Sequence, residues 1–421
     1  MKILLVHNRY QRPGGEDQVF ETERDMLRAH GHEVLTYELH NDSVEYMSRL
    51  SLLRHTVWNQ DTVHEMRGQI RLHRPAVVHC HNTFPLVSPS VFWVCHKEKV
   101  PVVWSIHNYR LACLNGFLYR DGHVCEACFG RFPRPGLKHR CYRGSLAASA
   151  VAALTWWVHF RRLRTYQRHV TRFIALSDFE RRKLEALGLS ADKISVKPNP
   201  VMLLDEQMIG ERPASAQATR TNQPTAIYLG RLSPEKGVAL LIRAWLEARD
   251  RLPPDSRLLL IGDGPKRDEL EALAGDQLRP ASDGNKATAA PRGGITFLGQ
   301  QSRIEVLQHL RQASLLVSPS ICYETFGMAA AEAQACGCPV IVPEHGALAE
   351  LVAPDTTGWI FPAGDSTALA DTLVKAFADP EKLRQTGLAA QAAIRVSAAV
   401  PARNIELLLE IYQTAADDLR R

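Results

Sequence analysis

Between Ala127 and Ser177 the chain has no aspartate and no glutamate. The stretch carries ten cationic side chains, whereas the net charge of all 421 residues is +6, so the remainder of the chain is net −4. A basic region on an otherwise nearly neutral protein indicates an anionic partner surface. The ten are Arg131, Arg134, Lys138, Arg140, Arg143, Arg161, Arg162, Arg164, Arg168 and Arg172.

Long apolar runs are also missing. The longest, residues 145–160, is short for a membrane span, and the apolar run at the start of the chain is too short for a signal peptide. With 45% hydrophobic and 23% charged residues, this length predicts a soluble, cytoplasmic protein of two domains. In that compartment the nine cysteines are expected to be reduced.

The glycine pattern of a dinucleotide-binding loop is incomplete. Gly262 and Gly264 follow a strand-like run, but Arg267 stands where the third glycine belongs and Pro265 follows the second. This argues against an NAD or FAD site and favours a plain strand-to-helix turn.

The cysteines lack the second CxxC pair of a common zinc module. One pair, Cys125 and Cys128, is flanked by Cys113 and Cys141. Four thiolates can hold a structural zinc ion in a tetrahedron. Two interpretations stay open, a zinc site and reduced cysteines that only pack.

Ten strand-like runs alternate with helical patterns, which predicts parallel, doubly wound sheets. Ten strands are too many for one such domain, and Pro198 and Pro200 interrupt the series. We therefore predict an α/β protein with Rossmann-like domains over residues 1–200 and 201–400, and a C-terminal helix over 401–421. The strand-like runs are 3–6, 76–80, 100–106, 172–176, 194–197, 226–229, 258–261, 295–298, 315–318 and 339–342.

Two segments lack a regular helix or strand period, the first of them polar and the second rich in Gly, Ala, Ser and Asp. Residues 201–224 are interpreted as a linker, and residues 275–294 as an exposed insertion.

Glu324 and Glu332 bracket an alanine-rich segment. If Thr325 starts the helix, the second glutamate lies about two turns in, and the two side chains come within roughly 80° of each other. The first N–H groups of such a helix have no intrahelical partner and attract phosphate. Carboxylates on both sides of a phosphate site suit the hydroxyls of a nucleotide sugar, although two surface glutamates on an ordinary helix are the alternative.

Three further groups follow predicted strands, where ligands of open parallel sheets bind. Arg231 and Lys236 lie on a loop and suit phosphate. His107 closes the strand 100–106 and can hydrogen-bond a substrate. Gly14 and Gly15 follow the first strand. Each also has a plainer interpretation, as solvated charges, a structural histidine and a simple turn.

Taken together, these segments resemble a retaining GT-B glycosyltransferase of the large bacterial E-x7-E family, of the surface-polysaccharide type. The resemblance covers nearly the whole chain. It implies two Rossmann-like domains facing a central cleft, with the C-terminal helix over 401–421 crossing back to the N-terminal domain. It rests on PGGED at 13–17, SIHN at 105–108, ALSDFERRKL at 175–184, VKPNPV at 196–201, YLGRLSPEKG at 228–237, LLIGDGP at 259–265, SPSICYETFGMAAAEAQACGCPVIV at 318–342 and GWIFP at 358–362.

The resemblance implies a role for each candidate residue. Glu324 would contact the donor sugar, Glu332 the ribose, and His107 the transferred sugar. Gly14 and Gly15 would line the cleft on the side of the acceptor domain and help to bind the donor. The diphosphate would be held by Arg231 and Lys236 together with the N–H groups of Phe326, Gly327 and Met328.

The implied reaction moves a hexosyl group from a UDP- or GDP-linked sugar to a saccharide or lipid-linked acceptor, with retained anomeric configuration. No catalytic metal or other cofactor is expected, since cations and a helix start can neutralise the leaving diphosphate. No nucleic-acid partner is expected. A nucleotide-sugar epimerase and a non-catalytic sugar-nucleotide-binding subunit are the alternatives.

A helix over residues 156–173 would place Arg161, Arg164, Arg168 and Arg172 within roughly 80° of each other. We expect this basic face to contact the anionic inner leaflet of the cytoplasmic membrane, where a lipid-linked acceptor would be presented. A docked helix with a solvated basic face is the alternative.

Overall fold

The structure, a computed structural model, describes residues 1–11, 14–202, 223–279 and 293–420. Residues 203–222 of the predicted linker and 280–292 of the predicted insertion lie outside these ranges. The described chain divides into two units. The first contains Met1–Arg120, Cys125–Pro200 and Pro401–Arg421, and the second contains Asp121–Val124 and Val201–Val400.

Fifteen strands occur in the described residues. They are β1 Lys2–Arg9, β2 Glu33–His40, β3 Val77–Cys80, β4 Val102–Ser105, β5 Tyr119–Arg120, β6 His123–Val124, β7 Arg172–Ala175, β8 Ile194–Val196, β9 Thr225–Leu229, β10 Arg257–Ile261, β11 Leu278–Arg279, β12 Gly294–Gly299, β13 Leu315–Val317, β14 Val340–Pro343 and β15 Gly358–Phe361.

Sixteen α-helices occur in the same residues. They are α1 Gly15–Ala29, α2 Arg49–Val57, α3 Gln60–His73, α4 Ser90–Lys97, α5 Arg134–Lys138, α6 Leu146–Trp156, α7 Thr165–His169, α8 Asp178–Ala186, α9 Val238–Ala248, α10 Arg267–Ala274, α11 Arg303–Gln312, α12 Met328–Ala335, α13 Gly346–Glu350, α14 Ser366–Ala378, α15 Pro380–Arg395 and α16 Pro401–Arg420.

The first unit is built on a parallel sheet of six strands in the order β2-β1-β3-β4-β7-β8. Its inner strand β1 is buried along most of its length, as expected for a strand covered on both faces. Helix α1 buries one face, with Val19, Phe20, Glu23, Met26 and Leu27 at helical spacing. Helix α16 also belongs to this unit.

The second unit is built on a parallel sheet of seven strands in the order β11-β12-β10-β9-β13-β14-β15. Successive residues of β9 face opposite sides, because Ala226 and Tyr228 enter one core and Ile227 the other. Helices α9 and α14 supply Trp245 and Leu373 to the first of these cores. The two parallel sheets with their covering helices confirm the predicted fold class.

All ten predicted strands are present, whereas β2, β15 and the two-residue strands β5, β6 and β11 were missed. Strand β2 is an edge strand with polar residues at alternate positions, so its sequence lacks a continuous apolar run. The described ends of the predicted insertion are also more regular than expected, since Gly293 and Gly294 are buried and β12 begins at Gly294.

The predicted helix over residues 156–173 is wrong. Helix α6 ends at Trp156 and continues as a π-helix over Trp157–Arg162, and Arg164 then adopts a left-handed conformation with φ of 53°. Arg172 starts strand β7, where it forms an ion pair with Asp418 of α16 at 2.8 Å. Thus the four arginines do not share one helix face.

Within the described residues, no helix combines the length and the hydropathy that crossing a bilayer requires.

Candidate active site

In the second unit, two loops meet at the carboxyl ends of the neighbouring strands β9 and β13. The backbone N–H groups of Ile321 and Cys322 donate to the carbonyl oxygen of Glu235 at 2.9 and 3.2 Å. Gly237 has a φ of 69°, and a Cβ atom on it would lie 2.0 Å from the carbonyl oxygen of Pro319. Only glycine therefore allows this close approach of the loops.

The approach brings Lys236 and Glu324 together. The Lys236 ammonium donates to Glu324 Oε1 at 2.6 Å, and the Ser320 hydroxyl donates to the same oxygen at 2.7 Å. Burial by itself would raise the pKa of Glu324, but the Lys236 charge and these hydrogen bonds outweigh it and lower that pKa. Burial opposes the charge of Lys236, whereas the Glu324 carboxylate raises the pKa of Lys236. Both groups are therefore ionised at neutral pH.

Arg231 lies on the same loop, and its side chain is 55% exposed. Its guanidinium donates to Glu235 Oε1 at 2.6 Å and to the Ser233 hydroxyl at 3.2 Å. The Ser233 hydroxyl also donates to Glu235 Oε1 at 2.6 Å. The buried Glu235 thus anchors the arginine at the edge of the loop.

Helix α12 begins at Met328, three residues later than predicted. Glu324 therefore lies in the loop before the helix, and Glu332 is the fifth helical residue rather than two turns in. Gly327 is the N-cap, with a φ of 99°, and a Cβ atom there would lie 2.4 Å from Leu348 Cδ2. Phe326 precedes the cap and is buried. Gly327 thus fixes where the chain turns into the helix, and the N–H groups of the first turn from Met328 have no intrahelical partner.

Glu332 is buried and is paired with a residue that the sequence analysis did not identify. Arg303, the first residue of α11, donates to Glu332 Oε1 at 3.2 Å. Burial raises the pKa of Glu332, and the Arg303 charge and hydrogen bond oppose this shift.

In the first unit, Gly14 and Gly15 are exposed at the start of α1. The Gly14 N–H donates to Asp17 Oδ2 at 2.8 Å, and the other oxygen of Asp17 lies 2.9 Å from His7 Nε2. The glycine turn is therefore tied to β1 through a buried carboxylate.

His107 follows β4 and is half-buried. Its Nε2 atom lies 3.2 Å from Nδ1 of His81, which follows β3. Burial, and then the charges of His7, His79 and Lys197, lower the pKa of His107 to about 3, so the ring is neutral at neutral pH.

A cavity opens beside His107 within the first unit. Its wall combines aromatic side chains with polar groups, among them Asn108 and Arg110. This is the composition of a site that binds a partly apolar small molecule. The aromatic members of the wall are Phe84, Trp104, Trp156 and Tyr166.

The four cysteines of the predicted zinc site are brought into one neighbourhood. Burial, and then the Cys113, Cys141 and Cys125 thiols, raise the pKa of Cys128 to about 11, while a backbone hydrogen bond from Gly136 lowers it. Among the described residues, the cysteines form no disulfide. Within the described residues, three possible metal-ligand atoms lie within 4.8 Å of one another only at Glu23, His79 and His81.

Residues 13–203 match the family described as Glycosyltransferase Family 4, and residues 212–393 match the family described as Glycosyl transferases group 1. The chain belongs to the group 1 glycosyltransferases. A phosphatidyl-myo-inositol mannosyltransferase of Mycobacterium leprae is 31% identical over 274 residues, which is 64% of this chain and 66% of that protein. A D-inositol 3-phosphate glycosyltransferase of Nocardia farcinica is 33% identical over 58% of this chain and 52% of that protein. This chain thus spans between about half and two thirds of the length of these relatives.

Solved structures show that this glycosyltransferase has a GT-B fold. The complex of Anabaena HepE with UDP has a TM-score of 0.66 and 18% identity, over 98% of this chain and 100% of that one. Sucrose-phosphate synthase from Thermosynechococcus elongatus has a TM-score of 0.68 and 18% identity, over 98% of both chains.

The candidate site contains residues that the sequence did not point to. Glu235 lies within the YLGRLSPEKG segment at 228–237. It was missed because Arg231 and Lys236 already gave that loop a phosphate-binding role. Arg303 belongs to no motif, and only the fold places it beside Glu332. In the first unit, the available signal was the spacing of His79, within a predicted strand, and His81, just after it.

Proposed function

We propose that this protein transfers a glycosyl group from a nucleotide sugar to a saccharide acceptor with retained anomeric configuration. The observation that carries the proposal is the pairing of Lys236 with Glu324 at the sheet edge where α12 begins. Glu332 with Arg303 lies within the same unit, so phosphate-binding and hydroxyl-binding groups are held in one rigid framework. The complex of HepE with UDP supports a nucleotide-sugar donor.

In the proposed reaction, the bond between the anomeric carbon and the leaving diphosphate breaks while the acceptor hydroxyl attacks from the same face. The leaving phosphate oxygen takes the acceptor proton. Lys236, Arg231 and the start of α12 stabilise the negative charge that develops on the diphosphate. An ammonium has three N–H bonds, so Lys236 can donate to phosphate as well as to Glu324.

The two glutamates have separable roles in this proposal. Glu332→Ala is expected to weaken nucleotide binding, because a ribose hydroxyl loses a charged partner worth about 1.5–3 kcal/mol. Glu324→Ala is expected to lower turnover while the Kd of the free nucleoside diphosphate changes little. Calorimetric titration with UDP and GDP, alongside initial rates, measures both. Full transfer activity in Glu324→Ala would contradict the assignment.

One assay distinguishes transfer from the alternative functions. UDP- and GDP-sugars are incubated with and without a lipid-linked saccharide acceptor. Nucleotide release that depends on the acceptor identifies a transferase, and sugar conversion without an acceptor identifies an epimerase. Binding without either reaction identifies a non-catalytic subunit.

We further propose a lipid-linked acceptor in surface-polysaccharide assembly, and peripheral contact with an anionic membrane. The names of the mannosyltransferase relatives, which include phosphatidyl-myo-inositol, support a lipid acceptor. Trp157 is 42% exposed, Leu163 37% and Leu154 39%, and Arg161, Arg162 and Arg164 are also exposed. Exposed apolar side chains beside cations suit an anionic bilayer surface.

The membrane proposal predicts co-sedimentation with vesicles of anionic lipid at low salt and release at high salt, because each cation near the surface contributes about 1 kcal/mol. Arg161→Gln with Arg164→Gln should weaken this binding. The matched control is Arg251→Gln with Arg384→Gln, two exposed arginines of the second unit. Wild-type protein that ignores anionic vesicles at low salt would contradict the proposal.

For the cysteines we propose a structural zinc ion held by Cys113, Cys125, Cys128 and Cys141. The CxxC pair with its two flanking cysteines, and the effect of the other three thiols on the pKa of Cys128, support it. Protein purified without chelator should contain about one zinc per chain, and Cys125→Ser should lose the metal and destabilise the first unit. Less than about a tenth of an equivalent would exclude a tight site and leave the packing interpretation.

A further inference from the structure

The first unit contains a buried chain of polar groups that ends at His107. Glu23 lies on α1, and its Oε1 atom accepts from the Lys197 ammonium at 2.6 Å. Both side chains are at most 1% exposed. A charged pair that is fully buried needs close partners, so the residues that face it are tightly constrained.

The second oxygen of this carboxylate faces a histidine. Glu23 Oε2 lies 3.5 Å from His81 Nε2, and both atoms are buried. Across the described chain, neither atom has a hydrogen-bond partner, so each is the polar atom that the other faces most closely. An ionised carboxylate only accepts hydrogen bonds, so the N–H of His81 belongs on Nε2.

The other nitrogen of His81 is then an acceptor. Its Nδ1 lies 3.2 Å from His107 Nε2, and the two ring planes differ by only 12°. The ring centroids are 5.3 Å apart, which is close to the N–N distance plus two ring radii. The rings therefore meet edge to edge, as an in-plane hydrogen bond requires. Since His81 Nδ1 accepts, His107 Nε2 must be the donor.

Both rings are neutral, so each has a single N–H. Burial, and then the neighbouring histidines and Lys197, lower the pKa of His81 well below its ordinary value, and that of His107 to about 3. In a neutral imidazole, the tautomer of one ring dictates the tautomer of a ring bonded to it.

We propose that Glu23 is a positioning residue that acts through His81 to hold His107 in the Nε2–H tautomer, with the lone pair on Nδ1. In that tautomer Nδ1 of His107 is a hydrogen-bond acceptor, so it can accept from a hydroxyl group and cannot bond to an ionised phosphate oxygen. The value of this acceptor to catalysis rests on the proposed function, whereas the tautomer itself does not.

The third ring of the cluster does not compete for Glu23. His79 Nδ1 lies 2.7 Å from the Tyr412 hydroxyl and 3.8 Å from Glu23 Oε2, and its Nε2 lies 2.9 Å from the Ser105 hydroxyl. A metal ion shared by Glu23, His79 and His81 is the other arrangement that the distances suggest. Lys197 argues against it, because an ammonium already neutralises the carboxylate.

The test is the tautomer of His107, read from ¹⁵N chemical shifts of histidine-labelled protein in a long-range ¹H–¹⁵N spectrum. The signals are assigned by their loss in His107→Gln. Wild-type protein should show a protonated Nε2 and an unprotonated Nδ1. A protonated Nδ1 in wild-type protein would overturn the proposal without any further variant.

The informative variant combines Glu23→Gln with Lys197→Met, so that no buried charge is left without a partner. The amide can then donate to His81 Nε2, which moves the His81 proton to Nδ1 and shifts His107 toward the Nδ1–H tautomer. The matched control is Glu180→Gln, a buried glutamate of the same unit that accepts from the Leu176 N–H. It should leave the His107 signals unchanged, and an unchanged tautomer in the folded double variant would overturn the proposal.

Kinetics separate this inference from the proposed function. In the double variant kcat should fall by at least ~10-fold, as is typical when the partner that orients a functional histidine is removed, while KM for the donor stays within about twofold. One equivalent of tightly bound metal that disappears with Glu23 would overturn the proposal. If His107 has the predicted tautomer but the protein transfers no sugar, the proposed function is wrong and the inference about the tautomer still holds.

Discussion

The two units place charged side chains at the carboxyl edges of their sheets in different ways. In the first unit, Glu23 and Lys197 are buried and paired with each other, and the neutral ring of His81 faces the carboxylate at 3.5 Å. In the second, Lys236 and Glu324 remain 27% and 18% exposed on loops. The buried network holds groups in one geometry, whereas the loop pair stays within reach of a ligand.

This contrast predicts where substitutions act. Removing a buried partner leaves a charge in a low-dielectric interior, so the cost falls on folding. Removing a partly exposed cation leaves the fold nearly unchanged, so the cost falls on ligand binding and chemistry.

Lys197→Met is expected to have the largest effect. Glu23 would stay buried without its cation, which typically costs about 3–5 kcal/mol of unfolding free energy. Hydrogen exchange read separately for β1 and β9 measures each unit. Adding Glu23→Gln should recover most of the loss. Equal destabilisation by the single and the double variant would show that packing, not charge, dominates at this site.

The second-largest expected effect is the loss of stability of the first unit at acidic pH. Burial lowers the pKa of His79 to about 4 and, against a hydrogen bond to Val57, that of His159 to about 4. The unfolded chain therefore binds more protons between pH 6.5 and 4, so stability falls as the pH falls through that window. At pH 5 the loss is about 2 kcal/mol for each of these histidines.

Hydrogen exchange at pH 7 and 5, corrected for the intrinsic rates, tests this difference. The lowered pKa values of His309 and His345 in the second unit belong to partly buried rings, so that unit should lose less. Parallel losses in both units would contradict the comparison.

Lys236→Ala should reduce glycosyl transfer at least ~10-fold, because a preorganised cation at the developing charge is lost. The free energy of unfolding should change by no more than about 1 kcal/mol. Initial rates and urea unfolding measure the two effects. If unfolding changes strongly and the rate does not, Lys236 is structural and the second unit resembles the first.

Lys375→Ala should have the smallest effect and is the control for Lys236→Ala. Lys375 donates to Asp355 at 2.7 Å in the same unit, but its side chain is 63% exposed. Such pairs contribute about 0–1 kcal/mol, and this one lies in no proposed site. A loss of transfer in Lys375→Ala would show that the assay responds to any lost cation.

Local patterns in the chain were sufficient for the fold class. Buried parallel strands are continuous apolar runs, and all ten such runs form strands, including those of β9 and β13. The edge strand β2 was missed because apolar and polar residues alternate along it, so it forms no continuous apolar run. The predicted start of helix α12 was too early. An alanine-rich sequence does not reveal that Gly327 adopts a left-handed conformation beside Leu348.

For the residues proposed for the site, the sequence indicated individual side chains but not which of them contact one another. Lys236 and Glu324 were found because each stands on a distinctive loop, but their ion pair joins positions 88 residues apart. His107 was found at a strand end, whereas its connection to Glu23 through His81 requires three separate elements to meet. Sequence patterns record local propensity and periodicity, so they determined the strands and the chemistry-bearing loops. Which charges are buried together was decided only by tertiary structure, because burial and pairing depend on contacts between distant segments.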